Sequence, residues 1–333
     1  MMVPDLLEEL RSRDIDVWAD GDQLRCTAPT GLLTPALQAQ LRERKGEIVA
    51  FLRSAAALAR QERAVVPLQP RGAHVPIFAV PGHNGDVFCY RLLAQHLGND
   101  QPFYGLQPPG VDGASEPLRR IEDLVTYFAG QIRAFRPDGP YVLAGFCAGG
   151  TVAFALARHL LGEGAAIRFV ALFTSPYPSA YGRLPQLRQR LAHYAQRIRE
   201  HAGALAALPP TARRHYLIDR LRAGQAQRDA RRHAAPDPVL ALRAKVEAAT
   251  VAAIRHYTPD CFAGRVGLFL PNREWLRPDS AMLRWRAVAR ETEHYVGPDG
   301  CIGDHMLLEP HVPVIADLFR RCRDASGALG GGA

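Results

Sequence analysis

The sequence lacks several features that define common classes of protein. None of its apolar runs is long enough to span a bilayer, and Met1–Asp5 lacks the charged and then apolar pattern of a secretion signal. Its six cysteines are scattered without a CxxC pair, which indicates neither a zinc site nor a disulfide framework. We therefore expect a cytoplasmic protein with reduced thiols and with no membrane segment, metal or bound cofactor.

The chain carries an excess of positive charge, with 41 Lys and Arg against 33 Asp and Glu and a net charge of +8. No basic stripe is interleaved with aromatic residues and no nucleic-acid-binding motif occurs, so we expect no nucleic-acid partner. The extra arginines lie mostly between Tyr181 and Arg255. They fit either a solvated helix face or a site for an acidic protein partner.

The patterning predicts two domains. We expect a small α+β domain at residues 1–56, a linker at 57–73, an α/β domain at 74–325 with a helical insertion at about 178–257, and a disordered tail at 326–333. Strand-like runs alternate with helical patterns in the larger domain, which predicts a largely parallel sheet. The candidate strands are Pro76–Val80, Phe103–Leu106, Tyr141–Ala144, Phe169–Phe173 and Val266–Leu270.

The first segment has the pattern of a helix, a hairpin and a second helix. Strand-like runs at Ile15–Trp18 and Gln23–Cys26 flank the turn Ala19–Asp22, and Thr34-Pro35 starts a helix. The segment resembles the TubC-type N-terminal docking domain of nonribosomal peptide synthetases. The matching residues are Leu10, Ile15, Asp22, Leu24, Ala28-Pro29, Gly31, Leu33, Leu37, Leu41, Lys45, Ile48 and Leu52. The resemblance implies that it receives the C-terminal docking peptide of an upstream synthetase by strand addition. The alternative is an unrelated small cap on the main domain.

The most informative stretch is Gly145-Phe146-Cys147-Ala148-Gly149. It has the G-x-S-x-G pattern of a nucleophile elbow, with cysteine in place of serine, between a strand-like and a helical run. Such a turn holds the nucleophile in a strained backbone conformation, and the small neighbours leave it room. The positive end of the following helix favours a thiolate. The plainer interpretation is a small buried cysteine in a glycine-rich turn.

An acyl-transfer site also needs a histidine base, an acid that orients the base, and an oxyanion hole. In α/β-hydrolases the chain order is nucleophile, acid, histidine. This order predicts the base at His305, just before the last helix, with His311 as the fallback. His311 also fits the start of that helix. One oxyanion donor is expected to be the N–H of Ala148, directly after the nucleophile.

The larger segment resembles the thioesterase domains that end nonribosomal peptide and polyketide synthetases. The matching motifs are Gly105–Gln107, Pro137–Tyr141, the elbow, Tyr257–Pro259 and Gly303–His305. The resemblance implies an α/β-hydrolase fold in which the insertion is a lid that shapes an acyl chamber. It places the second oxyanion donor at the backbone N–H of His83, not at its imidazole. The arginines of the lid would then meet a carrier protein and its phosphopantetheine phosphate.

The acid is displaced from its commonest position in that family, the end of the strand after the elbow helix. Thr174 stands there, and a threonine cannot hold negative charge against an imidazolium. Another branch of the family carries the acid after the next core strand. At that place the sequence contains Glu274 and Asp279. Trp285 resembles a tryptophan of that branch, and counting back along the chain from it favours Glu274. A site that requires neither stays open, because a Cys–His pair depends less on its third member.

Cysteine also changes what the site can deliver. A serine converts a carrier thioester into a more stable oxoester, whereas Cys147 exchanges one thioester for another and keeps the acyl group activated. Some standalone cysteine-containing relatives shuttle aminoacyl groups between carriers. We expect a trans-acting thioesterase or acyltransferase that docks on a synthetase and releases its acyl or peptidyl group by hydrolysis, cyclisation or transfer to an amine or hydroxyl. The alternatives are a shuttle between two carriers and a non-catalytic docking or scaffold protein, which only Thr174 supports.

Overall fold

The structure is a computed structural model that describes residue 10 and residues 15–20, 23–27, 35–46, 48–49, 64–182 and 238–328. These residues belong to two compact units, one containing those up to residue 49 and one those from residue 64, and each is described by itself. The predictions for the lid between residues 183 and 237 and for residues 329–333 lie outside the described residues. In the described part, no helix has the length and apolar character needed to cross a membrane.

The first unit contains a hairpin and a helix. Strands β1 (Asp16–Asp20) and β2 (Gln23–Thr27) pair antiparallel, and the pair of Asp20 with Gln23 closes a two-residue loop. Helix α1 (Pro35–Glu43) follows. Its small core is formed by Leu10, Ile15, Leu37, Leu41 and Ile48. The predicted hairpin and the helix after it are confirmed.

The second unit is built on a seven-stranded sheet. Its strands are β3 (Val65–Gln69), β4 (Ile77–Val80), β5 (Phe103–Leu106), β6 (Tyr141–Phe146), β7 (Ile167–Phe173), β8 (Phe262–Leu270) and β9 (Ala289–Val296). They lie in the order β3-β5-β4-β6-β7-β8-β9, and only the pair β3-β5 is antiparallel. The predicted α/β fold with a largely parallel sheet is confirmed.

Strand β3 lies where the sequence predicts a linker. Pro67 and Pro70 favour that prediction. However, Pro67 lies in a strand at the edge of the sheet, where its outer side has no neighbouring strand to which an N–H could donate. Val65 and Val66 are buried against the sheet. The prediction of a linker is therefore wrong for Val65–Gln69, because the burial of two valines outweighs the tendency of proline to interrupt a strand.

Helices cover both faces of the sheet. They are α2 (Arg91–Leu97), α3 (Ile121–Phe135), α4 (Gly149–Gly162), α5 (Pro238–Arg255) and α6 (Val312–Ala328). The buried side chains of α3 and α4 share one core cluster, and those of α2 and α6 share the cluster on the other face. His311 precedes α6, and its carbonyl accepts the N–H of Ile315 at 3.2 Å, which fits its predicted place at the helix start. Because α6 continues to Ala328, the tail predicted to be disordered from residue 326 is helical for its first three residues.

The central strands create the point at which the chain reverses its direction across the sheet. Strand β4 lies between β5 and β6, so the chain leaves it towards one edge and later returns on its other side. Ligands of open α/β sheets bind at the carboxyl ends of the strands at such a point. Val80 pairs with Gly145 there, and a Cβ on Gly149 would lie 2.1 Å from the carbonyl oxygen of Pro81. Only glycine allows α4 to start this close to the loop after β4.

This close approach predicts different effects for two alanine substitutions in α4. We expect Gly149→Ala to lower the free energy of unfolding by about 1–3 kcal/mol, because its methyl group meets backbone atoms that cannot yield. The methyl group of Gly162→Ala would have no neighbour within 4 Å, so this substitution should raise the free energy of unfolding by up to about 1 kcal/mol. Urea unfolding measures both values, and equal effects would contradict the packing described.

Candidate active site

Cys147 occupies a sharp turn between β6 and α4. Its φ angle is 50°, in the left-handed region that non-glycine residues seldom adopt. The Cys147 N–H donates to the Phe173 carbonyl at 2.9 Å, and the Ser175 hydroxyl donates to the Cys147 carbonyl at 2.8 Å. These bonds hold the strained conformation, so the side chain is presented at the carboxyl edge of the sheet. The strand, turn and helix expected around the motif are confirmed.

Trp285 supports this turn from the core. The side chain is fully buried, and its indole N–H donates to the carbonyl of Ser175 at 2.9 Å. Ser175 is itself buried and bonds the elbow through its hydroxyl. Trp285 therefore fixes the segment on which the backbone conformation of Cys147 depends.

Two backbone donors lie beside the nucleophile position. Ala148 precedes the first residue of α4, and His83 lies in the loop that follows β4. Among the described residues, neither N–H has a hydrogen-bond acceptor. Donors without an internal acceptor at the start of a helix suit an anion that forms during a reaction. Their role as the oxyanion hole stays a prediction.

The Cys147 side chain acts on the pKa of the His83 imidazole, for which the sequence patterns predict no role. Hydrogen bonding to Cys147 is the largest influence and raises the pKa of His83 above 6.5. Burial lowers the pKa of His83, while the negative charges of Cys147, Glu247 and Asp304 raise it further. The His83 Nε2 atom lies 3.5 Å from a carboxylate oxygen of Glu247 on α5. A protonated His83 is thus favoured beside the sulfur.

Tyr181 is a second neighbour of the sulfur that the sequence did not indicate. Its hydroxyl oxygen lies 3.7 Å from the Cys147 Sγ atom. Burial, and then the negative charge of Cys147, raise the pKa of Tyr181, so the hydroxyl keeps its proton and can donate it to the sulfur. The Arg255 guanidinium donates to the Tyr181 carbonyl at 3.0 Å. No sequence spacing links residues 181 and 147, because their proximity depends on the turn at Pro178–Tyr181 that follows β7.

His305, the predicted base, lies in a short 3₁₀ helix, Gly303–His305, near the elbow. A Cβ on Gly303 would lie 2.7 Å from Thr174 Oγ1, and the residue before Thr174 accepts the N–H of Cys147. The His305 side chain is exposed. Within the described residues, no hydrogen bond joins its imidazole to Cys147 or to a carboxylate. The structure brings its loop to the site, and its role as base stays a prediction.

Neither candidate acid contacts His305. Glu274 and Asp279 are both exposed in the segment after β8, and in the described part of the chain neither carboxylate forms a hydrogen bond or ion pair with a histidine. The segment is nevertheless tied to the loop of His305, since the Asn272 side chain donates to the carbonyl of Cys301 at 2.8 Å. Both assignments stay predictions.

Other candidate ligand sites are separate from the elbow. The described residues include no group of three or more His, Cys, Asp or Glu side chains that could hold a metal ion. A cavity of about 670 Å³ lies between α3, α4 and the start of β8, where Val125, Arg158 and Phe262 line it. It shares no lining residue with the turn at Cys147.

The pairing of His83 with the thiol predicts a linked titration. We expect Cys147→Ala to lower the pKa of His83, because it removes the hydrogen bond and the charge that raise it and leaves the opposing effect of burial. A proton NMR titration of the imidazole measures this change. Cys261→Ala, at an exposed cysteine, is the control and should leave the value unaltered. An unchanged His83 pKa in Cys147→Ala would show that the two side chains do not interact.

Comparison with known families gives two matches. The model for the thioesterase domain matches residues 75–316, and the model for the TubC N-terminal docking domain matches residues 3–54. Among curated proteins, chondramide synthase of Chondromyces crocatus is 42% identical over 108 residues, which are 32% of this chain and 3% of that protein. Aspulvinone E synthetase of Aspergillus terreus is 36% identical over 133 residues, 39% of this chain and 14% of that protein. The chain thus spans only a small part of the length of these relatives.

Solved structures show the same fold. The NocB thioesterase domain from the nocardicin cluster matches with a TM-score of 0.55 at 22% identity, over 80% of this chain and 99% of that one. The Vlm2 thioesterase domain with a bound dodecadepsipeptide gives 0.52 at 22% identity, over 78% and 97%. At this identity the likeness establishes the α/β-hydrolase fold alone.

Proposed function

Because this chain belongs to the thioesterase domain family and carries a TubC-type docking domain, we propose that it is a trans-acting acyl-transferring enzyme of a nonribosomal peptide or hybrid polyketide assembly line. Cys147 is its nucleophile. The observation that carries the proposal is the strained turn that presents Cys147 beside the unbonded N–H of Ala148. A merely structural cysteine has no need of either feature.

The first half-reaction loads the enzyme. The Cys147 thiolate attacks the carbonyl of an acyl or peptidyl thioester on the phosphopantetheine of a carrier protein. The N–H groups of His83 and Ala148 stabilise the oxyanion, and one such donor typically contributes about 3 kcal/mol. The carrier thiol then leaves with a proton, and the acyl group remains on Cys147 as a thioester. No cofactor of the enzyme itself is needed.

The second half-reaction passes the group on. His305 serves as the base that activates the acceptor, oriented by Glu274 or, as the alternative, Asp279. Since a thioester on Cys147 stays activated, water, an internal amine or hydroxyl, and the thiol of a second carrier are all competent acceptors. The last outcome is a shuttle between carriers. The docking domain favours terminal release, and the cysteine favours transfer.

The partners follow from the two domains. Residues 1–56 bind the C-terminal peptide of an upstream synthetase, and the thioesterase domain meets the carrier protein. The curated relatives are named as synthases and synthetases, which supports an assembly-line context. We place the reaction in the cytoplasm, without nucleic acid or membrane as partner.

Incubation with an acyl-loaded carrier tests the nucleophile by intact mass. We expect an acyl adduct on the wild type, none on Cys147→Ala, and an adduct on Cys147→Ser that resists neutral hydroxylamine because it is an oxoester. His305→Ala should slow discharge of the adduct by about 10²–10⁴-fold. Adding an amine or an unloaded carrier identifies the acceptor. An absence of adduct on both the wild type and His305→Ala would contradict the proposal and support a scaffold.

Deletion of residues 1–56 tests the docking role. We expect a higher KM for the carrier-bound substrate of the upstream synthetase, because tethering raises the local concentration of the two sites. With a small soluble acyl thioester, kcat/KM should stay unchanged, since Cys147, His83 and His305 all lie in the second unit. Equal losses with both substrates would contradict a docking role.

A further inference from the structure

The segment that follows β7 makes two contacts with Cys147. Near its start, the Ser175 hydroxyl donates to the Cys147 carbonyl at 2.8 Å. At the end of the 3₁₀ turn Pro178–Tyr181, the Tyr181 hydroxyl oxygen lies 3.7 Å from the Cys147 Sγ atom, which is hydrogen-bonding distance for sulfur. The same short segment therefore holds the backbone of the nucleophile and places a hydroxyl beside its sulfur.

Hydrogen bonds from the segment between β8 and β9 anchor this turn. The Tyr177 N–H, directly before the turn, donates to the Ala281 carbonyl at 3.0 Å. Within the turn, the Ser179 hydroxyl accepts from the Arg284 guanidinium at 2.9 Å. Neither bond involves the sulfur, so the turn has supports of its own and does not depend on Cys147 for its position.

Helix α5 holds Tyr181 directly. Arg255, the last residue of this helix, donates from its guanidinium to the Tyr181 carbonyl at 3.0 Å. The residue that contacts the sulfur is thus held through its own backbone, and the turn before it is held from a second part of the chain. Its hydroxyl is already in place in the resting enzyme and needs no rearrangement to meet charge that forms on Cys147.

The Tyr181 hydroxyl is a hydrogen-bond donor that keeps its own proton. Burial is the main cause that raises the pKa of Tyr181, and the negative charge of Cys147 adds to the rise. A thiol can donate to a hydroxyl or accept from it, whereas a thiolate can only accept. The hydrogen bond from Tyr181 therefore strengthens when the sulfur becomes negative. In acyl transfer the sulfur gains that charge when its bond to the acyl group breaks.

We propose that Tyr181 is a catalytic residue that stabilises the Cys147 sulfur as the leaving group when the acyl group is passed on. This inference rests on the proposed function of Cys147. The acceptor gives a proton to His305 and attacks the acyl carbon, and the carbon–sulfur bond then breaks. The electron pair goes to the sulfur, to which Tyr181 donates a hydrogen bond without losing its proton. His305 returns its proton to the thiolate, so the free thiol is restored and His305 remains the base.

The two half-reactions depend on this hydrogen bond to different extents. During discharge, negative charge develops on the Cys147 sulfur, so the bond from Tyr181 is stronger in the transition state than in the acyl enzyme. During loading, the attacking sulfur gives its charge away, and the bond from Tyr181 weakens as the acyl group arrives. Tyr181 therefore assists discharge to any acceptor and contributes little to loading.

Reduction of a mixed disulfide tests the leaving group without any acyl donor. Methyl methanethiosulfonate places a methylthio group on Cys147 of the full-length protein, and its removal by dithiothreitol at a fixed pH is followed at the Cys147 peptide by mass spectrometry. Each route by which dithiothreitol frees this thiol expels the Cys147 thiolate from a disulfide, so the rate reports how well the sulfur leaves. We expect Tyr181→Phe to lower the rate by about tenfold, because it removes a hydrogen bond to a charged group.

Tyr177→Phe is the matched control. It removes a hydroxyl from the same segment and keeps the ring that packs against Trp285, with ring centroids 5.1 Å apart. Among the described residues, no hydrogen bond joins the Tyr177 hydroxyl to Cys147, so this variant should be reduced at the wild-type rate. The exposed Cys261 reports the reactivity of dithiothreitol in each sample.

A wild-type rate of reduction in Tyr181→Phe would overturn the inference, as would an equal loss in Tyr177→Phe. If Tyr181→Phe melts at a lower temperature than the wild type, Ser179→Ala decides. This variant releases the turn from Arg284 at an exposed residue and should lower the rate by about two- to fivefold. An unchanged rate there would then overturn the inference.

The acyl reaction is scored separately by intact mass, with an acyl-loaded carrier as donor. In Tyr181→Phe, discharge of the adduct should slow by about tenfold, while its formation should change by less than about threefold. Equal slowing of both steps would contradict a role in the leaving group. An absence of adduct on the wild type would refute the proposed function, and the disulfide rates would still decide whether Tyr181 stabilises the departing sulfur.

Discussion

The contact between the first turn of α4 and the two central strands is the constraint on which the site depends. Gly145 and Gly149 allow the helix to begin almost against the backbone of its neighbours. Cys147 must then turn through a left-handed conformation, which the bonds from Ser175 and to Phe173 maintain. The strain at Cys147 is balanced by the packed core beneath it.

From this constraint follows the electrostatic character of the nucleophile. Cys147 sits at the positive end of α4, and its sulfur lies 3.7 Å from the Tyr181 hydroxyl, which keeps its proton. Cys147 in turn raises the pKa of the His83 imidazole. Helix α5 contributes through Glu247, which lies 3.5 Å from His83 Nε2, and through Arg255, which donates to the Tyr181 carbonyl.

Thr174 follows β7, at the position where the resemblance to thioesterase domains led us to expect an acid. Thr174, at the common position of that acid, is buried with a φ of 41° and packs against Gly303. Thr174 therefore packs against the loop that carries His305. A carboxylate on α5, that of Glu247, lies 3.5 Å from Nε2 of a different histidine, His83.

The sequence alone determined the local features, namely the alternating strands and helices, the hairpin of the first unit, and the turn at Cys147, because each depends on neighbouring residues. It misplaced β3, since an edge strand is stabilised by a partner about 40 residues away in the chain, which no local pattern records. The tertiary structure alone decided that Tyr181 lies beside the Cys147 sulfur, that Cys147 acts on the pKa of His83, and that Glu247 lies beside the His83 imidazole. Their proximity arises from the order of strands in the sheet and from the packing of α5, and these depend on long-range contacts that sequence spacing does not encode.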